Sequence, residues 1–447
     1  MTGSPHALPR HTPARTASRR PRRPPFLVGA LALAVLATGC GLLPGSGSRA
    51  PITVMTFAPE HTPGTNMPGM PAMALAYARW ANTEGGLDGH ELRVLTCDEL
   101  NTSAGAADCA RRAVDEDAVA VVGSYSQHGA SFMAPLEAAG IPFLGGYGLT
   151  DSELTSYLSY PVNGGQPALL AGHGTQLADV CRRVSLVRPD SIAGDRLPGL
   201  LDSGLAPGGL TSTDHLAPED ATDYTAVAAR ARRTATALDT GTGTDTRTGG
   251  PDRSSLPGCV TAALGDATET FFDSFRRLPE DDRPVSVSSV LGSVDQSLIN
   301  RTGGARGLFE GAHLTGWYPE AGDDRWNPMR RVIDEHAFGD DRIDPTNAGV
   351  QTTWIAYTAL REVVESLDQD EVTARDITRA LDGGVRVDTG GLTPSLRWTY
   401  DDLLDLGGFP RVVNRSVTLQ VVRGGRLVAQ RETFLDVTLT LTTTPRT

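Results

Sequence analysis

The amino-acid sequence predicts an α/β protein with two lobes, each containing a parallel sheet. Residues 118–155 carry the clearest signal: an apolar run ends at Gly123, a polar loop and a helix-compatible segment follow, and a second apolar run leads into another polar loop. Strands and helices alternate over residues 51–155, which is typical of a parallel sheet with right-handed crossovers. The chain beyond its N-terminal leader is too long for one ordinary core.

Residues 1–39 are predicted to be a signal peptide. Six arginines and no acidic residue precede a short apolar run, 26–37, which has too few residues to span a bilayer. The segment Ala37-Thr38-Gly39-Cys40 resembles the lipobox of bacterial lipoproteins, in which the cysteine is acylated and becomes the new N-terminus. The alternative is an ordinary cleaved signal with an incidental cysteine, and the arginine pairs also permit twin-arginine export. Residues 40–50 are predicted to be a flexible tether.

The composition excludes several classes of function. The formal net charge is −13 and becomes more negative once the arginine-rich leader is removed, which argues against nucleic acid and against a surface pressed onto anionic lipid. The absence of lysine excludes pyridoxal Schiff bases, a Walker lysine and lysine nucleophiles. No G-x-S-x-G or H-E-x-x-H motif occurs, and Gly146-Tyr147-Gly148 lacks the third glycine of a dinucleotide fingerprint. We therefore expect neither an enzyme nor a cofactor.

Four cysteines follow Cys40 in a chain predicted to reach an oxidising compartment. Cys97 ends a predicted strand and Cys109 lies in the next helix, so these two are expected to form a local disulfide. Cys181 and Cys259 each precede a predicted strand, and neighbouring parallel strands would bring them together. A metal site is the rival interpretation, but the sequence has no C-x-x-C and no close Cys/His spacing.

The first third of the chain divides into clear elements. The helix predicted at 72–82 has Leu75, Ala76, Arg79 and Trp80 at helical spacing and ends in the glycine-rich segment 84–89, where glycines supply the left-handed geometry of a helix stop. The other predictions for this part are strands at 51–57, 91–96, 118–122 and 141–144 and helices at 104–116 and 131–139.

The rest of the chain gives weaker but continuous signals. Helices are predicted at 168–183, 226–237, 269–278, 327–336, 348–366 and 373–381, strands at 184–187, 260–264, 285–291 and 311–318, and a closing hairpin at 412–420 with 426–429. Residues 239–257 are rich in Gly, Thr, Asp and Arg and nearly lack large apolar side chains. They are predicted to be a disordered surface insertion.

Several segments closely resemble the N-terminal lobe of type I periplasmic binding proteins, in particular the leucine/isoleucine/valine-binding branch of ABC-importer receptors. The resemblance is strong over residues 51–155 and weaker but continuous afterwards. The segments that carry it are Asn82-Thr83-Glu84-Gly85-Gly86-Leu87-Asp88-Gly89-His90-Glu91-Leu92, Cys97-Asp98, Val121-Val122-Gly123 with Ser126, Pro135-Leu136-Glu137 and Gly140-Ile141-Pro142.

The resemblance implies two Rossmann-like lobes, joined by three crossover strands, that close on a ligand. Lobe 1 is expected to comprise residues 51–165 and 314–393. Lobe 2 is expected to comprise residues 166–313, including the insertion, and 394–447. Ligands of open parallel sheets bind beyond the carboxyl ends of the strands.

The first-lobe wall of the site is expected in the loops around residues 125 and 150. Ser126, Gln127 and Thr150 match the family's loop residues that hold an α-carboxylate, and hydroxyl and backbone N–H groups do so without the desolvation cost of a buried charge. Tyr125 and Tyr147 are expected to flank the ligand. Helix capping is the alternative role of Ser126 and Thr150.

The second-lobe wall is expected to include Asp266 and Asp295, at loop positions where the family places ammonium-binding or ring-stacking groups. Asp295 precedes a helical segment, so N-capping is an equally good interpretation of it. The family also places an aspartate and a Tyr-Gly pair after the strand at 184–187. The run Arg188 to Asp195 contains a glycine but no aromatic residue, which departs from the usual mode of holding an amino acid.

These observations lead to one functional expectation and two alternatives. We expect a lipoprotein, anchored to the cell membrane through Cys40 and exposed outside the cytoplasm, that captures a small polar ligand such as an amino acid for the permease subunits of an ABC importer. The alternatives are a sensor that presents the same fold to a membrane receptor and a scaffold that binds no small molecule.

Overall fold

The structure is a computed structural model that describes residues 49–62, 64–191, 194–218, 221–237, 253–279, 283–403 and 408–442. The expected signal peptide, the lipidation site Cys40 and residues 40–48 of the expected tether lie outside these residues. The last two tether residues belong to the first strand instead, and Arg49 donates hydrogen bonds to the carboxylates of Asp88 and Asp368. Among the described residues, no helix is both long enough and apolar enough to cross a membrane.

Residues 49–160 form a parallel five-stranded sheet with flanking helices. Its strand order is β2-β1-β3-β4-β5. The short elements α4 and β5 were not predicted, because so few residues carry no periodic pattern. The elements are β1 (Arg49–Ala58), α1 (Gly69–Thr83), β2 (His90–Asp98), α2 (Ser103–Asp115), β3 (Ala120–Val122), α3 (Gly129–Ala139), β4 (Phe143–Leu144), α4 (Asp151–Thr155) and β5 (Ser159–Tyr160).

The next segment builds a second sheet in which β7, β6, β8, β9 and β10 are parallel neighbours. The sequence did not predict α6, β7 or α9; β7 is a polar strand at the sheet edge, where no apolar run is needed. The elements are α5 (Gly165–Val180), β6 (Arg183–Pro189), α6 (Leu197–Leu205), β7 (Ser212–Ala217), α7 (Thr225–Thr236), β8 (Gly258–Ala262), α8 (Ala267–Arg276), β9 (Val285–Val290), α9 (Gln296–Arg301) and β10 (His313–Gly316).

The remaining elements return to the first lobe and then to the second. Helices α10 and α11 pack against α1, whereas β11 pairs antiparallel with β10 and is itself paired with β12 and β13. The elements are α10 (Asn327–His336), α11 (Ala348–Glu365), α12 (Ala374–Asp382), α13 (Tyr400–Leu403), β11 (Ser416–Arg423), β12 (Arg426–Ala429), β13 (Leu435–Asp436) and α14 (Thr438–Thr442).

The chain therefore crosses between two lobes three times: after β5, after β10 and after α12. The fold is α/β, with parallel sheets flanked by helices in both lobes. One expected boundary between the lobes differs from the structure. Residues 314–316 were assigned to lobe 1, but they belong to β10, where Leu314 pairs with Ser289 and Gln420 of the second sheet.

Helix α11 fixes the loop that follows β3. Its N-cap, Asn347, accepts hydrogen bonds from the backbone N–H groups of Gly349 and Val350. Within the buried helix, the Thr353 hydroxyl donates to the carbonyl of Gly123 at 3.0 Å. A Cβ on Gly123 would approach the Thr353 backbone to 3.0 Å, so a glycine permits this close packing.

Two disulfides have the pairing expected from the sequence. Cys97 is bonded to Cys109, 12 residues away, and Cys181 is bonded to Cys259, 78 residues away. Most of the predicted insertion, residues 239–252, lies outside the described residues. Its expected end is part of the fold, because 253–257 lead directly into β8 and Arg253 donates to the carbonyl of Cys181 at 3.4 Å.

We expect the long-range disulfide to contribute more stability than the local one. In the chain-entropy account, removing the Cys181–Cys259 bond should lower the free energy of unfolding by about 4.5 kcal/mol, and removing Cys97–Cys109 by about 3 kcal/mol, because the longer loop restricts the unfolded chain more. Urea unfolding of the two paired Cys→Ala variants under non-reducing conditions measures both losses. A greater loss for the local pair would contradict this ranking.

Candidate functional site

A cavity of about 410 Å³ lies between the two lobes. Its lobe 1 wall comes from the loops after β1, β2, β3 and β4. Its lobe 2 wall comes from the start of α5 and from the segments after β6, β7, β8 and β9. Both walls are thus built at the carboxyl ends of parallel strands, the edge where open α/β sheets bind ligands.

Three aromatic rings line the cavity in a continuous row. The ring of Tyr147 lies edge-on to Tyr125 at 5.1 Å and edge-on to Trp317 at 5.0 Å between centroids. The Trp317 indole N–H donates to the carbonyl of Gly165 at 2.9 Å, and the Gln127 amide donates to the Tyr125 hydroxyl at 3.3 Å. Burial raises the pKa of both tyrosines above the ordinary value, so their phenols are neutral donors.

Tyr147 also reaches across the cleft to the backbone of lobe 2. A Cβ built on Gly292 would stand 2.2 Å from the Tyr147 hydroxyl oxygen, well inside van der Waals contact. Gly292 has a φ of +88°, a conformation that L side chains rarely adopt. This glycine therefore leaves the space into which the tyrosine fits when the lobes are together.

Asp266 lies in the cavity wall at the start of α8. It makes no side-chain cap to that helix and remains exposed to the cleft. Partial loss of hydration raises its pKa above the ordinary value, and a hydrogen bond from the backbone of Asn66, in the other lobe, acts in the opposite direction. No ion pair to Asp266 is found among the described residues, so its carboxylate retains acceptor capacity.

Thr150 lines the cavity, but its side chain also caps α4. Its hydroxyl accepts from the backbone N–H of Glu153, and the Glu153 carboxylate accepts from the backbone N–H of Thr150 at 2.9 Å, which makes a capping box. The Thr150 hydroxyl also donates to that carboxylate at 2.8 Å. Glu153 is buried, with 1% of its surface exposed. Burial raises the pKa of Glu153 above its ordinary value, while hydrogen bonds from Thr150, Gly148 and Leu149 act to lower it.

The other predicted site residues fall into two groups. Five of them line the cavity together: Tyr125, Gln127, Tyr147, Thr150 and Asp266. The two remaining predicted residues are not part of its wall, for reasons given next.

Ser126 and Asp295 are used locally. The Ser126 hydroxyl is buried and donates to the Glu99 carboxylate at 3.1 Å while accepting from the His128 backbone N–H at 3.0 Å. Asp295 caps α9 by accepting from the Leu298 backbone N–H at 2.8 Å. Asp295 therefore acts as a helix N-cap, the second of its two interpretations. Ser126 faces away from the cavity because of the backbone turn after β3.

Sequence reasoning did not assign the apolar part of the wall. Leu169 and Leu170 come from α5 and Leu291 from the end of β9. Tyr224 supplies an aromatic ring from lobe 2, and its hydroxyl donates to the carbonyl of Pro218 at 2.8 Å. Tyr224 comes directly before α7, and nothing in the sequence places it opposite lobe 1.

The lobes also meet at both rims of the cleft. On one side Arg196 of lobe 2 forms an ion pair with Asp151 of lobe 1. On the other side the Ser297 hydroxyl of lobe 2 donates to the Asp344 carboxylate at 2.6 Å. Within the described ranges there is no group of three or more His, Cys, Asp or Glu side chains arranged to hold a metal.

Comparisons with known proteins agree with this architecture. The sequence profile of a family described as periplasmic binding protein matches residues 59–402. A search of curated protein sequences finds no significant match.

Solved structures with the same fold share little sequence with this chain. An ABC transporter substrate-binding protein from Aeropyrum pernix is 16% identical, with a TM-score of 0.67 over 89% of this chain and 100% of that chain. A possible leucine/isoleucine/valine-binding protein from Rhodopirellula baltica is 15% identical, with a TM-score of 0.65 over 86% and 97%. A solute-binding protein of an ABC transporter from R. palustris, in complex with 4-hydroxybenzoate, is 12% identical, with a TM-score of 0.65 over 86% and 97%. At these identities the likeness concerns the fold.

We expect Gly292→Ala to hold the lobes apart, because the added methyl group would collide with the Tyr147 hydroxyl. Small-angle X-ray scattering should report a larger radius of gyration than for the unsubstituted protein. Combining it with Tyr147→Phe should restore the smaller value, since the hydroxyl is the atom in the way.

Gly311→Ala is the matched control. Gly311 has a φ of +79° but no neighbouring atom within 4 Å, so it carries the same backbone strain without the collision. An equal expansion in Gly311→Ala would show that strain, rather than contact with Tyr147, changes the shape.

Proposed function

The chain belongs to the periplasmic binding protein family, and from that premise we propose that it is an extracytoplasmic solute-binding protein that captures a small molecule between its lobes for an ABC importer. The observation that carries the proposal is the cavity between the lobes, whose walls come from the carboxyl-end loops of both sheets. The structural neighbours from Aeropyrum pernix and R. palustris are both ABC transporter components, which supports the coupling to transport.

Capture would proceed by closure of the lobes. The contacts of Tyr147 with Gly292, of Arg196 with Asp151 and of Ser297 with Asp344 exist only when the lobes are together. A ligand that touches both walls binds the closed form more tightly than the open one, and it shifts the population by that difference in affinity. A permease could then distinguish the loaded receptor by its closed shape.

We assign the ligand contacts to Tyr125, Gln127, Tyr147, Thr150 and Asp266, with Ser126 and Asp295 acting only on the shape of their loops. The chemistry is reversible binding rather than catalysis. The described wall residues include serine and threonine hydroxyls but no histidine that could activate them as nucleophiles.

The proposal includes a lipid anchor at Cys40. The lipobox-like sequence before this cysteine supports acylation, and the glycine-rich residues that follow supply the length needed to hold the receptor near a permease. The protein would therefore work at the outer face of the cell membrane.

Ligand binding should be visible in thermal unfolding of the purified protein. A compound present at about one hundred times its dissociation constant stabilises the folded state by about 2.7 kcal/mol, which raises the melting temperature. The panel comprises amino acids, amines, organic acids, sugars and nucleosides. A flat response to the whole panel would contradict the receptor and favour a scaffold.

Anchoring is tested separately in cells. Wild-type protein should incorporate labelled palmitate and sediment with membranes, and Cys40→Ser should lose both properties, because the thioether to the lipid requires the cysteine sulfur. Cys97→Ser, which changes another cysteine of the chain, is the control and should keep the label. Membrane association of Cys40→Ser equal to that of the wild type would contradict the anchor.

A further inference from the structure

We propose that the ligand is an organic cation with an apolar body, a primary or quaternary amine, and not a carboxylate or a zwitterionic amino acid. The inference rests on the proposed solute-binding function and specifies the ligand class of the same cavity. Three features of the cavity lead to it: an internal carboxylate that occupies the anion-binding loop, the sign of the charge on the wall, and the aromatic and apolar surface beside that charge.

The loop of residues 148–150 is one of the two loops where the sequence analysis placed the ligand's carboxylate, through Thr150. In the structure, Glu153 already occupies its donors. The Glu153 carboxylate accepts from the backbone N–H groups of Gly148 at 3.0 Å, Leu149 at 3.1 Å and Thr150 at 2.9 Å, and from the Thr150 hydroxyl at 2.8 Å.

A ligand carboxylate could use these donors only by displacing Glu153. The displaced side chain is fully enclosed, and Gly146 packs against it so closely that a Cβ there would approach its Oε1 to 2.7 Å. Removing the donors would leave the buried carboxyl oxygens without hydrogen-bond partners, which is more costly than the hydrogen bonds a ligand would gain. The carboxyl group of Glu153 therefore stands in the place of the ligand's.

The charge of the wall also disfavours an anion. Asp266 is the one charged side chain among the described residues that line the cavity, and the chain contains no lysine. The arginines nearest in sequence to the wall are engaged elsewhere: Arg188 bonds to Asp214 and Asp195, and Arg196 pairs with Asp151 and stacks over the Phe409 ring. A carboxylate in this cavity would meet a like charge and no counter-charge.

A cation finds complementary groups in the same place. The row formed by Tyr125, Tyr147 and Trp317 offers the kind of π surface that attracts ammonium groups, and Asp266 offers a carboxylate without an ion-pair partner among the described residues. Aliphatic side chains on both walls suit an apolar body, beside neutral polar groups such as Asn101 and Gln166. The aliphatic side chains are Met67, Leu149, Leu169, Leu170, Leu197, Val290 and Leu291.

Matched compounds separate the charge of the ligand from its shape. One series is phenethylamine, phenylalanine and 3-phenylpropanoate, and a second is isopentylamine, leucine and 4-methylpentanoate. In each series the three members share a side chain. The first bears only an amine, the second an amine and a carboxylate, and the third only a carboxylate. Choline, glucose and adenosine complete the set. Dissociation constants are measured by titration calorimetry on the extensively dialysed full-length protein.

We expect an amine to bind at least about tenfold more tightly than the other members of its series. The acid lacks the charge-assisted contact with Asp266, and the zwitterion brings a carboxylate that meets a like charge without a counter-charge. Asp266→Asn should weaken the amine by at least about tenfold. Asp341→Asn, which removes the same charge from an exposed position of lobe 1, should leave its affinity unchanged.

The possible failures are distinguishable. Tightest binding by a carboxylate, a zwitterion or glucose would overturn the cation inference while leaving the receptor function standing. Unchanged amine affinity in Asp266→Asn would overturn it as well. If the Asp266→Asn variant does not fold, the order of dissociation constants for amine, zwitterion and acid in the unsubstituted protein still tests the cation inference. No binding by any compound of this set or of the wider panel would overturn the receptor function and, with it, this inference.

Discussion

The cleft depends on one constraint of parallel sheets: all the strands end at the same edge. In lobe 1 this brings the loops after β1, β3 and β4 together, and in lobe 2 the loops after β6, β8 and β9. Three chain crossings then hold the two edges face to face. The hydrogen bond from Thr353 of α11 to Gly123 anchors the lobe 1 edge from behind, so that the loop carrying Tyr125 rests on a packed helix.

The contacts that close the lobes are specific in shape but modest in energy. The ion pair of Arg196 with Asp151 lies at the solvent-exposed rim, where such pairs typically contribute at most about 1 kcal/mol. The close fit of Tyr147 against Gly292 leaves no room for a side chain at position 292, but it adds little attraction between the lobes. Neither of these two contacts by itself contributes a large free energy to closure.

Most of the fold could be predicted from the sequence, because buried strands appear as apolar runs and helix ends are often marked by glycines. The same argument located Tyr125, Gln127, Tyr147 and Thr150 at strand ends, where the structure brings them into one wall. It did not predict that Ser126 faces away from the cavity while Tyr125 and Gln127 line it, because the local turn of the backbone decides which side chain faces the cavity. The apolar side chains that α5 adds to the cavity wall could not be predicted, because their position depends on how the second lobe packs against the first and no local sequence pattern indicates it.

Glu153 shows the limit of motif reading most clearly. The spacing Thr150-x-x-Glu153 is a capping box and is visible in the sequence. That the carboxylate also takes the N–H groups of Gly148 and Leu149 depends on the backbone turn before the helix. The capping box thereby affects which ligands can bind, because the N–H donors of the loop are no longer available to a ligand carboxylate.

A crystal structure of the protein with its tightest-binding compound would test the account most directly. We predict density for the compound between the row of Tyr125, Tyr147 and Trp317 and the Asp266 carboxylate, with Glu153 still bonded to the loop of residues 148–150. Density for a ligand carboxylate on that loop, with Glu153 displaced, or density outside the cleft, would contradict it.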